Sequence, residues 1–326
     1  MKTSPTKYIH SRAAAIILVI AAVCAALVKL PLSAQAETAP SLFPGPGTWL
    51  PAGTASFVLN MTVNAAIAFM LLVINRLYRL MRTITWVFVG LFFFMQLAQP
   101  EALGYFCGGS FLALTALTLT ALLFSTYADP ACTRSTYLLF MLLALAALFQ
   151  YNIIFLLPVF LLGIVQMKTF DTRTLLACVM GLVTPLWILI GFGIVRPDAL
   201  LSMPFFDAAS PVAAESDHTV YITRLLTTAF TGSIGLIFTF ANFIKVMSYN
   251  SARRAFNGFF TILFLATIVL IVADYRNHTL YIPLLDILAA YQAGHFFATR
   301  RYRLSYIPVC IILCIYAAIA AIPVIL

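Results

Sequence analysis

The chain has 326 residues, of which 63% are hydrophobic and 9% charged, with 28 Phe and a formal net charge of +9. So little polar surface cannot coat a soluble fold, and the long apolar runs place the chain in lipid. A charge of +9 would point to nucleic acid in a soluble protein, but here the basic residues sit in short clusters between apolar runs, where they orient helices, and no nucleic-acid partner is expected.

Residues 1–12 carry Lys2, Lys7 and Arg12, Ala13 to Val28 is apolar, and LSAQAE follows with small residues at Ala34 and Ala36. A basic head, an apolar core and an A-x-A site also fit a secretory signal. The core is at the long end of the roughly 7–15 residues usual for such signals, so residues 13–33 are read as an uncleaved first span. Either outcome puts the Pro- and Gly-rich loop from Glu37 to Gly53, which has no Lys or Arg, on the outer side.

Further spans are expected at 55–75, 84–98, 102–127, 137–149, 152–166, 175–195, 225–247, 256–273, 280–298 and 304–326. With the first, this predicts an all-α, polytopic transmembrane bundle of about eleven spans, forming a single domain over 1–326. The region 137–166 reads either as one very long helix or as a hairpin of two short ones broken at FQYN. Arg134 and Lys168 flank it and both belong in the cytoplasm, which requires an even number of crossings. Only Lys29, Arg196, Arg224 and Arg276 of the 19 Lys and Arg fall on outer segments. The remaining fifteen set the N-terminus in the cytoplasm and the C-terminus outside. Acidic residues run the other way, with Glu37, Glu101, Asp198, Asp207, Glu215, Asp217 and Asp274 outside, as a working face or as ordinary loop solvation.

The stretch from Asp274 to Arg303 organises the rest, because a carboxylate, Asp286, lies inside an apolar span. An ionisable side chain at the bilayer centre costs roughly 3 kcal/mol or more, so it is expected to face protein or water and to serve a function. The outer mouth reads Asp274, Tyr275, Arg276, Asn277, His278, Thr279 and Tyr281, with Asp286 about 9 Å deeper at the helical rise. Arg276 and His278 suit a phosphate or pyrophosphate, Arg through its rigid fork of donors. Asp286 below them can act as a general base towards a sugar hydroxyl. The structural alternative is that Arg276 snorkels to headgroups and Asp286 hydrogen-bonds a neighbouring helix.

The longest loop, Arg196 to Arg224, is expected outside, and a loop of that length is usually functional or disordered. Asp217, His218 and Arg224 return from it towards the same mouth as substrate-binding candidates. Glu37, close after the first span, is a second candidate for the catalytic carboxylate. Tyr291, Gln292 and His295 near the cytoplasmic end read as an interfacial anchor. Asn60 and Asn64 read as interhelical hydrogen-bonding groups, and Gly104 with Gly108 as a GxxxG contact. The six cysteines show no CxxC or Cys/His pairing, so neither disulfides nor a metal is expected, and no cofactor.

The run from Ala102 to Phe192, with FLLPVFLLGIVQMKTFDTRTLLACVMGLVTPLWILIGF at its centre, resembles a family of polytopic inner-membrane proteins of Bacteroidetes that carries no established activity. The shared pattern is a helix hairpin, a short basic loop with Lys168 and Arg173, and a span bearing Gly181 and Pro185. It implies a multi-pass protein of the cell inner membrane. More loosely, an outer loop after the first span and an outward acidic face look like membrane glycosyltransferases that use polyprenyl-phosphate sugars. The expected partners are then membrane lipid and a polyprenyl-phosphate-linked sugar. Three functions follow as expectations: glycosyltransferase-like handling of a lipid-linked glycan at the outer leaflet, a proton- or ion-coupled transporter or flippase, or a scaffold with a partner in an envelope complex.

Overall fold

The computed structural model describes residues 11–29, 41–81, 86–99, 102–129, 131–195, 218–299 and 306–325. Eleven helices lie among them: α1 (Arg12–Lys29), α2 (Thr54–Tyr78), α3 (Val87–Ala98), α4 (Gly108–Ser125), α5 (Thr133–Phe149), α6 (Leu157–Gln166), α7 (Thr172–Gly191), α8 (His218–Val246), α9 (Ser251–Ala273), α10 (His278–Thr299) and α11 (Tyr306–Ile325). No strand occurs among the described residues, as a chain of long apolar runs demands when every backbone group must be satisfied within its own segment. Five helices, α2, α4, α7, α9 and the Tyr221–Val246 part of α8, are long and apolar enough to cross a membrane.

Helix α10 is the axis of the bundle. Every residue from Leu280 to His295 is buried, and the helix packs against α3, α4, α8 and α9. It is not among the five most apolar long helices, because Asp286, Gln292 and His295 lower its hydropathy. Its neighbours, not its own surface, keep it out of water and lipid. The peripheral helices do the reverse: α7 lays Cys178, Gly181 and Pro185 against the bundle while Leu176, Trp187 and Ile188 are exposed. Apolar side chains left outward on a helix of this length suit a lipid surface.

The region 137–166 is a hairpin. Helix α5 stops at Phe149, residues 151–156 form a 3-10 turn, and α6 starts with Pro158 in its first turn, where the missing N–H costs no hydrogen bond. Two polar residues at the break, Gln150 and Asn152, are buried, so the turn is fixed by protein contacts rather than by solvent.

Two expected boundaries differ. The span predicted to begin at Ala102 becomes helical only at Gly108, because the carbonyls of Ala102 and Gly104 are taken by the Asn60 amide at 2.9 and 3.0 Å. Gly104 is therefore not part of a helical GxxxG. The close approach is made by Gly108 and Gly109 against α10: a Cβ on Gly109 would lie 3.1 Å from the carbonyl oxygen of Leu280 and 3.0 Å from Pro283. The second difference is α8, which begins at His218 and not near Leu225. Arg224, expected in the long loop, is helical and only 7% exposed, because VYIT continues the apolar run outward by about one turn.

The asparagine pair of α2 is a staple. Besides the two carbonyls, Asn60 Oδ1 accepts from Ser110 Oγ at 2.8 Å and from Asn64 Nδ2 at 3.2 Å, joining α2 to the start of α4. Asn60→Ala would leave two buried carbonyls and a serine hydroxyl without their partner. Its expected cost is about 1–3 kcal/mol, read as a lower thermal midpoint in detergent.

Candidate functional site

Two polar constellations lie along α10. The first is at the corner where α9 turns into α10, through Asp274 and a 3-10 turn over Tyr275–Asn277. One oxygen of Asp274 accepts from Asn152 Nδ2 at 2.5 Å and from Tyr281 OH at 3.0 Å, and the other from Asn277 Nδ2 at 2.9 Å. Asn152 in turn accepts from Gln150 Nε2 at 3.3 Å. The corner is thus tied to the break between α5 and α6. His278 Nδ1 donates to the Tyr275 carbonyl at 2.6 Å and its ring stacks on Tyr275 at 5.2 Å, while Tyr275 OH is hydrogen-bonded to Tyr221 OH. Half-buried Asp274 is thus held by three donors, with the Tyr275–His278 stack in the same turn.

The second constellation is Asp286, which is 0% exposed. The Thr231 hydroxyl of α8 and the Tyr316 phenol of α11 lie within electrostatic reach of it. They are bonded to each other at 2.8 Å; the Thr231 hydroxyl is also placed to hydrogen-bond the Asp286 carboxyl, although neither carboxyl oxygen makes a hydrogen bond of normal length among the described residues. The carboxyl is thus held by packing, with α8 and α11 offering hydroxyls beside it. A buried polar group in that condition costs about 1–3 kcal/mol, and far more as an unpaired charge.

The predicted site residues are distributed unevenly over this frame. Asp286 and Tyr281 share α10 but belong to different constellations, and Tyr281 is fully buried with its hydroxyl on Asp274. His278 sits at the corner on the Tyr275 carbonyl, engaged with backbone. Arg224 lies seven residues before Thr231 on the same helical face, about 10 Å along the axis. Glu37 and Asp217, and the side chains of Arg276 and His218, lie outside the described residues.

Tyr291, Gln292 and His295 are not an interfacial anchor. All three are buried in protein, with Tyr291 OH donating to Asn257 Oδ1 at 2.5 Å, Gln292 accepting from Asn242 Nδ2 at 3.2 Å, and His295 Nε2 at 3.3 Å from Tyr249 OH. They lock α10 to α8 and α9 at the end away from Asp274. Sequence reasoning passed over Asp274 as a hub, and Thr231 and Tyr316 altogether. The FQYN break and the 274–281 run flagged the first, but a lone Thr and Tyr in apolar helices carry no signal until packing brings them to a carboxyl.

Comparison of the chain with family models, with curated proteins and with solved structures yields no match.

Proposed function

We propose that this is an eleven-span protein of a bacterial inner membrane, N-terminus in the cytoplasm and C-terminus outside, that moves a solute or lipid across the bilayer by loading a proton or a cation on Asp286. Membership of the Bacteroidetes family it resembles is part of the same proposal. The observation that carries it is a fully buried carboxyl that makes no hydrogen bond of normal length among the described residues, on a helix buried without a break from Leu280 to His295. A structural carboxyl is usually hydrogen-bonded. One kept without such a bond in mid-helix fits a group that exchanges a small positive species as the bundle rearranges. At 0% exposure it meets a sugar hydroxyl only after the helices part. Uptake of a panel of solutes into vesicles under an imposed proton or sodium gradient tests it. Gradient-dependent uptake that is lost in Asp286→Asn supports the reading, and equal uptake in both overturns it.

A second reading has its own observation. The Asp274 corner, with Asn152, Asn277 and Tyr281 as donors and Tyr275 stacked on His278, offers what a sugar needs: a carboxylate, amides and aromatic faces. On the orientation proposed above it faces the outer leaflet, which favours glycosyltransferase-like handling of a polyprenyl-phosphate-linked sugar, with Asp274 as the accessible carboxylate. Asp274→Ala is then expected to abolish envelope-glycan modification at unchanged protein level. Normal glycan in that variant would remove this reading while leaving the first intact.

A further inference from the structure

Helix α3 is short, almost wholly buried, and carries Gln96 at 0% exposure with neither its amide nitrogen nor its amide oxygen hydrogen-bonded among the described residues. Nothing in either functional reading uses it. Three contacts fix its depth. Helices α3 and α10 run antiparallel, and a Cβ on Gly294 would lie 2.9 Å from Cβ of Phe88. Moving eight residues on along α3 and eight back along α10 reaches Gln96 and Asp286. Helices α3 and α8 are joined by Gln99 Nε2 donating to Thr228 Oγ1 at 3.3 Å. Three residues back on α3 and three on along α8 stand Gln96 and Thr231. Finally, a Cβ on Gly235 of α8 would lie 3.2 Å from Cβ of Ala289 on α10, and these helices run parallel. Four residues back from Gly235 is Thr231, and three back from Ala289 is Asp286. Helix α11, which brings Tyr316, packs on both α3 and α8. Four buried polar side chains from four helices therefore share one level of the bundle.

We infer that Gln96 Oε1, the Asp286 carboxylate, Thr231 Oγ1 and Tyr316 OH are the protein ligands of a dehydrated monovalent alkali cation, with sodium as its first candidate. This rests on the reading of Asp286 as the loaded group and names the species loaded. A proton needs only the carboxyl, whereas a hard cation stripped of water needs several oxygens at once, and carboxylate, amide and hydroxyl oxygens are its usual donors. One carboxylate among neutral oxygens balances a single positive charge. A divalent ion would leave uncompensated charge in a low-dielectric interior, and calcium sites gather more carboxylates than this. Among the described residues there is no group of three or more His, Cys, Asp or Glu that would suit a transition metal or zinc. The amide oxygen of Gln96, without a hydrogen bond among the described residues, also gains a role in serving the ion.

The test is sodium binding to the purified full-length protein, read as thermal midpoint against sodium concentration with choline replacing sodium, and as retention of radiolabelled sodium. The midpoint of the wild type is expected to rise and saturate with sodium. Gln96→Leu should weaken the apparent sodium constant by about tenfold, the size of one lost oxygen contact, and Asp286→Asn should abolish the response. If Gln96→Leu fails to purify, the shorter amide in Gln96→Asn is expected to weaken sodium binding by displacing the carbonyl, and wild-type retention of the label still decides whether a site exists. Absence of a sodium response in the wild type, or an unchanged constant in the Gln96 variants, would overturn the inference. Proton-driven uptake without sodium binding would sink this inference and leave the transport reading standing, whereas sodium binding without any gradient-driven uptake would do the opposite.

Discussion

Asp286→Leu is expected to abolish gradient-driven uptake while leaving the protein, in sodium-free buffer, as stable as the wild type or more stable. The two halves of this result have one cause. In the folded state the carboxyl is fully buried and makes no hydrogen bond of normal length among the described residues, so it costs about 1–3 kcal/mol relative to a group that prefers the interior. Leucine has similar bulk and no polar atoms, and replacing a buried polar group by a well-packed apolar one is often neutral or stabilising. The Thr231 hydroxyl that faces Asp286 keeps its bond to Tyr316, so the substitution leaves no hydroxyl without a partner. A raised or unchanged thermal midpoint together with lost uptake separates a functional carboxyl from a structural one. A fall of several kcal/mol would mean that Asp286 holds the bundle together.

Gly181→Leu is expected to lift α7 off the bundle. Helix α7 rests on α5 through a narrow face of small residues, and a Cβ at Gly181 would lie 2.6 Å from the Tyr137 carbonyl oxygen, 3.0 Å from Phe140 Cβ and 3.1 Å from Met141 N. Two of these atoms are backbone of α5 and cannot swing aside as a side-chain tip can. Small residues let helices approach in lipid, where close packing rather than hydrophobic burial holds them together. Forcing a branched side chain into that contact costs about 3 kcal/mol or separates the helices. Gly232 of α8 is the internal control, since a Cβ there meets nothing within 4 Å. Gly232→Ala should leave stability unchanged or raise it by up to about 1 kcal/mol, read as an unchanged or higher midpoint. A cysteine pair across α5 and α7 that crosslinks in the wild type and not in Gly181→Leu would report the separation directly.

Much of this architecture can be read from the residues alone, for a specific reason. Long apolar runs separated by charged clusters leave few alternatives to helices, and the chain does break at FQYN, the alternative favoured by the flanking Arg134 and Lys168. Asp286 stood out because a carboxylate in such a run is expensive. What the chain did not disclose is set by helix rotation and by partners distant in sequence. Asn152, held by Gln150, meets Asp274 more than a hundred residues later. Tyr291, Gln292 and His295 look like an anchor because amphipathic tips near a helix end usually are one, until α8 and α9 are found to cover them. The fourth span began late because Asn60 captured the carbonyls of Ala102 and Gly104, a tertiary capture that no local pattern announces. Arg224 was assigned to a loop, whereas it lies within α8 and is buried.

The most direct test of the central claim, that Asp286 is a chemically available carboxyl inside the bundle and not an inert one, is labelling of the protein in native membranes with a hydrophobic carbodiimide, mapped by mass spectrometry. The account predicts that Asp286 is modified, that sodium protects it, and that the modified protein no longer supports gradient-driven uptake. An Asp286 that stays unlabelled under conditions that modify other buried carboxyls, or one whose labelling leaves uptake unchanged, would contradict it.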